Sequence, residues 1–265
     1  MIFGERLGVT SYYVLDITDR FRPIWKYQIT PDILPGAPLG QSWAKAKICN
    51  LATKRIEYSP GKYTVDESSI EEVFMLAGGY DTNQDLTTPA SMDNVGKAII
   101  SVKVENGTIG KFKAYYDSGA EDNVGKLMKN CILDINTSST YRSTNGKEIT
   151  TRVYAGDMGG RVFTFADDRE IKDGKVITRV PNGDFPHRNM LFSAPGKEIF
   201  YAPATSKFKD SYSEWVVFGT GDRENPLDTT EVNAIYAVKN TWTKSGLTPS
   251  NLENLTDIIP QNKED

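Results

Sequence analysis

Asp81-Thr82-Asn83-Gln84-Asp85 places carboxylates and an amide at alternate positions of a short polar stretch. Oxygens at the first, third and fifth places of a turning chain fall on one side, which is how a calcium loop begins. Thr87 offers a carbonyl, and Asp93 lies one residue beyond the usual closing position. Asp81, Asn83, Asp85, Thr87 and Asp93 are therefore the first candidate ligand set. Leu86 stands where the turn glycine belongs and no Glu closes the loop, so the competing reading is a solvated turn rich in Asx residues. Asp157 and Asp222 each end an apolar run next to glycines. Two such carboxylates could cleave a glycoside, but an Asp in that position more often accepts backbone N–H groups and locks a tight turn. His187 is the single histidine, which excludes a His-ligand cluster, and it is expected at the surface or half-buried. Ser193 and Ser206 lack the setting of a nucleophile elbow. Cys49 and Cys131 match no zinc or redox spacing. They either pair in an oxidising compartment or stay as two buried thiols.

The elements that must hold these residues repeat. Arg152 to Phe165 reads RVYAGDMGGRVFTF, two β-rich runs around a Gly-Asp-x-Gly-Gly corner. Tight connections of this kind need glycine where φ is positive. Met75 to Asp81 (MLAGGYD) and Val216 to Asp222 (VVFGTGD) repeat the pattern of an apolar run, glycines and an acid. Gly78, Gly156 and Gly219 mark the three occurrences. Their spacing is wider than one propeller blade of ~40–50 residues and close to one or two of them.

Strand signals fill the rest. Ser11 to Ile17 and Pro23 to Tyr27 read as a hairpin, and Ala44 to Leu51 with Lys54 to Tyr58 as the inner strands of a blade. Val73 to Ala77 reads as a buried strand. Asn106-Gly107 turns a further hairpin, and Cys131 to Ile135 reads as a strand before a polar insertion at Asn136 to Glu148. Trp25, Phe163 and Trp215 are expected to pack between blades. Helical periodicity is scarce, and aromatics, Gly and Thr are plentiful, so the chain reads as all-β. A net charge of −4 with interspersed signs gives no nucleic-acid footprint. No apolar run is long enough for a membrane-spanning helix, and no signal peptide is visible. Residues 1–245 are expected to form the propeller, and 246–265 a frayed tail.

The ordered series YYVLDIT…PIWKY, AGGYDTNQD, RVYAGDMGGRVFTF, IFYAPA and VVFGTGDRENP…NAIYAVKN resembles the C-terminal propeller of the PilC/PilY family of type IV pilus proteins, over roughly residues 7–240. The resemblance implies a modified, incomplete β-propeller of the quinoprotein-dehydrogenase-like type, with its first blades lacking. It implies a non-enzymatic pilus-tip adhesin and biogenesis factor, calcium-tunable and regulating pilus extension and retraction. The implied setting is the cell surface, with pilins or minor pilins, a host or solid surface, and the missing N-terminal part of the same protein as partners. The family's calcium loop maps to Asp134, Asn136 and Ser138, the second candidate ligand set, although Thr151 stands where the closing acid belongs. The alternatives are a propeller enzyme, either a quinone-dependent dehydrogenase or a hydrolase, and a structural segment of a filament-associated protein.

Overall fold

The computed structural model describes residues 1–86, 91–207, 213–221, 223 and 232–256. Four antiparallel sheets follow one another along the chain. Sheet I holds β1 (Ile2–Gly4), β2 (Tyr12–Asp16) and β3 (Ile24–Ile29). Sheet II begins with β4 (Lys47–Ala52). A separate hairpin of β5 (Arg55–Ser59) and β6 (Lys62–Val65) intervenes before β7 (Ile70–Ala77), β8 (Ala98–Lys103) and β9 (Ile109–Tyr115) complete the sheet in the order β4-β7-β8-β9. A short helix, α1 (Asn123–Leu127), leads to sheet III. There β10 (Ile135–Arg142), β11 (Glu148–Gly156) and β12 (Arg161–Ala166) are followed by the hairpin β13 (Arg169–Lys172) and β14 (Lys175–Thr178), and β15 (His187–Ser193) closes the edge. Sheet IV is β16 (Ala204–Lys207), β17 (Glu214–Gly219) and β18 (Ile235–Asn240).

The sheets stack face on face in chain order, and the strand period of two shows how. On β7 and β8, Phe74, Leu76, Ile100 and Val102 pack against Tyr12, Val14 and Ile29 of sheet I. The alternate residues Val73, Met75, Ala77 and Ile99 pack the other way, against Val153, Ala155, Phe163 and Phe165 of sheet III. Tyr154, Val162, Leu191 and Phe192 on the far face of sheet III meet Val216, Phe218 and Val238 of sheet IV. Strands buried on both faces need unbroken apolar runs, which is why Val73 to Ala77 shows no alternation. Each large side chain withdrawn from water contributes about 1.5–3 kcal/mol, so these three interfaces carry most of the fold's stability.

Several sequence expectations are corrected. Lys54 to Tyr58 does not pair with Ala44 to Leu51; β5 belongs to its own hairpin, and β4 pairs with β7. The polar stretch after Asn136 is no insertion, because most of it is β10, paired along its length with β11. Its Ser/Thr-rich composition hides a strand that lies at a sheet edge. Gly78, Gly156 and Gly219 close the second strand of sheets II, III and IV, so each interval is one sheet, widened by connections and hairpins. Phe163 is buried between sheets, but Trp25 and Trp215 are 56% and 40% exposed. They lie on sheets I and IV, which among the described residues have a neighbouring sheet on one face only. Cys49 and Cys131 are free thiols. The expected tail, residues 246–265, begins bonded to the β15 edge: Gly246 N–H donates to Met190 O, and Leu247 bonds Leu191 and Ser193.

Candidate functional site

The ends of β7, β11 and β17 share one rim, where the glycine-acid corners meet the segments that link the sheets. Gln41 and Tyr80 exchange backbone hydrogen bonds of 2.8 and 3.0 Å. Gly79 N–H donates to Ile132 O at 2.9 Å, and Met158 N–H to Cys131 O at 3.0 Å. Ile199 N–H donates to Asp157 O at 3.2 Å, and Gly221 N–H to Glu198 O at 2.9 Å. Backbones this close leave no room for side chains. A Cβ on Gly78 would sit 2.1 Å from Gly96 O, and Gly79 has a φ of +96°. Trp43, Tyr80, Cys131, Leu133, Met158 and Phe200 fill the space between the linkers. Trp43 meets Phe200 edge-on with centroids 5.8 Å apart.

The first acid set folds into this rim. Asp81 is buried. Its Oδ1 accepts Asn83 N–H at 2.9 Å, and its Oδ2 accepts Asn94 and Val95 N–H at 2.6 and 2.9 Å. Asp93 is buried too. Its Oδ2 accepts Cys131 N–H at 2.7 Å, and its Oδ1 accepts the Asn83 and Gln84 side-chain amides at 2.5 and 2.7 Å. Asp85 accepts Tyr80 O–H at 2.6 Å. Thr87 lies outside the described residues. The structure thus gathers Asp81, Asn83, Asp85 and Asp93 at one corner. Their arrangement does not fit a resident calcium ion, because both Asp81 oxygens and Asp93 Oδ2 already face backbone N–H donors. Those donors cannot turn away, while calcium needs six to eight oxygens free to face it.

The corner is also wired to its neighbour. Asn130 Nδ2 reaches Asp93 Oδ2 at 3.5 Å, and Asn130 Oδ1 accepts Arg161 Nη1–H at 3.1 Å. Arg161 in turn donates to both oxygens of Asp157, from Nη1 at 2.7 Å and from its backbone N–H at 2.8 Å. Asp157 is fully buried, and burial raises its pKa to about 6 even with Arg161 beside it. It locks the β11–β12 turn, as an Asp at such a corner should. Asp222 lies outside the described residues.

The second acid set does not converge. Asp134 Oδ1 accepts Ile135 N–H at 2.9 Å, and burial raises its pKa. Asn136 and Ser138 sit on β10 opposite Tyr154 and Arg152. The Asp134 carboxylate is turned to the backbone at the start of β10 and the Asn136 amide to sheet IV, so the two have separate partners. Asn136 Nδ2 reaches Thr205 Oγ1 at 3.5 Å, so it links sheets III and IV. Among the described residues, no three His, Cys, Asp or Glu side chains gather where they could hold a metal ion.

Sequence reasoning missed a second polar centre, between sheets III and IV. Arg152, 2% exposed, donates from Nε and Nη2 to Asp168 at 3.2 and 3.0 Å. Its Nη1 and the Tyr154 hydroxyl both reach Glu214. Burial works against the Arg152 charge, but Asp168 and Glu214 outweigh it and its pKa is raised. Arg169 Nη1 donates to Asp168 at 3.2 Å, and Thr140 adds its hydroxyl at 2.6 Å. The Arg152 guanidinium also lies 4.9 Å from the Trp242 ring centroid. His187 meets that indole edge-on at 5.2 Å. It is buried rather than superficial, and burial pulls its pKa down to about 4. The sequence signal was an arginine inside a β-rich run, TTRVYAG, where a surface strand face reads the same.

Stacked antiparallel sheets joined at one rim by glycine corners define an all-β, propeller-like fold. It is similar to the crystal structure of the Pseudomonas aeruginosa PilY1 C-terminal domain, with a TM-score of 0.62 and 18% identity over 93% of this chain. The match takes in 47% of that chain, so this sequence spans about half its length. No protein-family model matches the sequence. No curated protein matches it either.

Proposed function

We propose that the chain is a propeller segment of a type IV pilus-associated surface protein, serving attachment and pilus biogenesis and not catalysis. The observation that carries this reading is the likeness in fold to the PilY1 C-terminal domain across 93% of the chain. The motifs that resemble the PilC/PilY family are its supports: GGYD and AGDMGG form rim corners, and YYVLD is β2 of sheet I. The partners on this reading are pilins or minor pilins and a host or solid surface, met through loops that rigid sheets hold in place. Further sheets of the same protein would cover the outer face of sheet I, where Phe3, Tyr13 and Trp25 form a row with centroids 5.6 and 5.9 Å apart. Calcium tuning through Asp81 or Asp134 is a separate reading, which the backbone N–H donors on both carboxylates do not favour. No helix among the described residues is long and apolar enough to cross a membrane.

Deleting the gene in its source organism is expected to reduce surface pili and twitching motility, with recovery on complementation. Full piliation, motility and attachment in the deletion strain would overturn the reading.

A further inference from the structure

The Arg152–Asp168 centre opens onto a cleft of roughly 250 Å³ between the β10 edge, the β13–β14 hairpin and β16. Arg152, Arg169, Arg179 and Lys207 line it, and Asp168 is the only carboxylate among the lining residues. We propose that this cleft binds a carboxylate group of a ligand or partner. The inference does not depend on the pilus reading.

Three observations carry it. The first is charge. Four cations line the cleft, and among the described residues the carboxylates that form ion pairs with them are three: Asp168 with Arg152 and Arg169, Glu214 with Arg152, and Asp184 with Arg179 at 3.1 Å. Lys207 has no ion pair among the described residues. The surplus of one positive charge matches a monoanion better than a phosphate carrying two charges. The second is an unmet donor. The Arg179 side chain is only 10% exposed, and its buried Nε has no hydrogen-bond partner, although Nη2 is engaged by Asn182 at 2.6 Å. A buried N–H without an acceptor is costly and rare in a folded protein. Guanidinium groups present donors in a planar fork that suits carboxylates.

The third observation is how the strand edge is built. The β10–β11 register shifts on either side of Ser139, so Thr140 and Thr151 drop out of the ladder. Their hydroxyls bond each other at 2.6 Å, and Thr140 also donates to Asp168. Bulges re-aim side chains beside binding sites. This one fixes the Asp168 carboxylate against Arg152 and Arg169, so that Lys207 and the unmet Nε of Arg179 are left for an incoming anion.

The test is a thermal melt of the whole chain in acetate or succinate against chloride at equal ionic strength, with phosphate as a third arm. Acetate and succinate are expected to raise Tm above chloride by a few degrees at ~100 mM, as mass action requires of a native-state ligand. Lys207→Gln is expected to weaken the effect severalfold, and Arg179→Gln to abolish it. Lys207 is exposed, so its variant keeps the test alive if Arg179→Gln fails to fold. No difference between carboxylate and chloride, or the same shift in Lys207→Gln and wild type, would overturn the proposal. A larger shift with phosphate would also overturn it, in favour of a dianion site.

Discussion

The two polar centres solve the burial of charge in opposite ways. At the Asp81–Asp93 corner, backbone N–H groups and the Asn83 and Gln84 amides satisfy the carboxylates, and among the described residues no cation forms an ion pair with them; Arg161 is reached only through Asn130. In the Arg152 centre, side chains satisfy side chains: two carboxylates share one guanidinium, with Tyr154, Thr140 and Arg169 around them. Backbone donors are fixed by the fold, so an acid held by them acts as a structural clamp. Side-chain ion clusters can carry excess charge, and the one here leaves a surplus facing a cleft. Acid-rich spacing pointed to the first centre as the place for chemistry, whereas geometry points to the second.

The largest effect that separates the two should come from Arg152. Arg152→Met would leave Glu214 buried without its cation and Asp168 with Arg169 alone, and breaking a buried pair on one side costs about 3–5 kcal/mol. Urea unfolding should show this as a lower midpoint at unchanged slope. A loss below ~1 kcal/mol would mean that the cluster is not buried as described. Asp81→Ala is next. It orphans the N–H groups of Asn83, Asn94 and Val95, each at about 1–3 kcal/mol when fully buried. Partial access of water at this loop should bring the total to about 2–3 kcal/mol, again read by urea unfolding.

A pH effect of similar size should come from His187 in the second centre. His187 has a folded pKa near 4, below its ordinary value of 6.5. The unfolded chain therefore binds a proton first, and the stability from neutral His187 is complete above about pH 6.5 and is lost as pH falls toward 4. Between pH 7 and pH 5 the loss is about 2 kcal/mol. Asp157, raised to about 6, and Asp167, raised to about 7, act with the opposite sign: their protonated native forms favour folding as pH falls through those values. The clean readout is thus the difference between wild type and His187→Phe, which keeps a ring against Trp242. That difference should shrink by about 2 kcal/mol at pH 5, and equal pH slopes would refute the assignment. The smallest effect belongs to the outer face of sheet I. Trp25→Ser should change stability by less than ~0.5 kcal/mol, because no second sheet covers that ring.

Much of this architecture was legible in the sequence. The recurring glycine-acid corner was visible at Gly78, Gly156 and Gly219, although Gly219 has open space around it; a position such as Gly78, against the Gly96 backbone, tolerates only glycine and so leaves a mark in composition. The hairpin at Asn106-Gly107 was legible for the same reason: Gly107 has a φ of +77°. The edge strand β10 was not, since Ser and Thr on a half-exposed strand look like loop. Nor was the direction of the Asp81 carboxylate. A D-x-N-x-D spacing states only that oxygens share a side, and whether they meet a cation or N–H groups depends on the course of the chain ten residues later, at Asn94 and Val95. The Arg152 centre was illegible because its members come from sheets III and IV and from β13, joined only by tertiary folding.

The measurement that tests the contrast most directly is a calcium titration of the intact chain followed by thermal melts, alongside Asp81→Ala and a chelator control. The account predicts the same Tm with millimolar calcium, magnesium or chelator, and a lower Tm for Asp81→Ala that calcium does not alter. A calcium-specific rise in wild-type Tm that disappears in Asp81→Ala would contradict it, and would show that the corner opens its carboxylates to the ion.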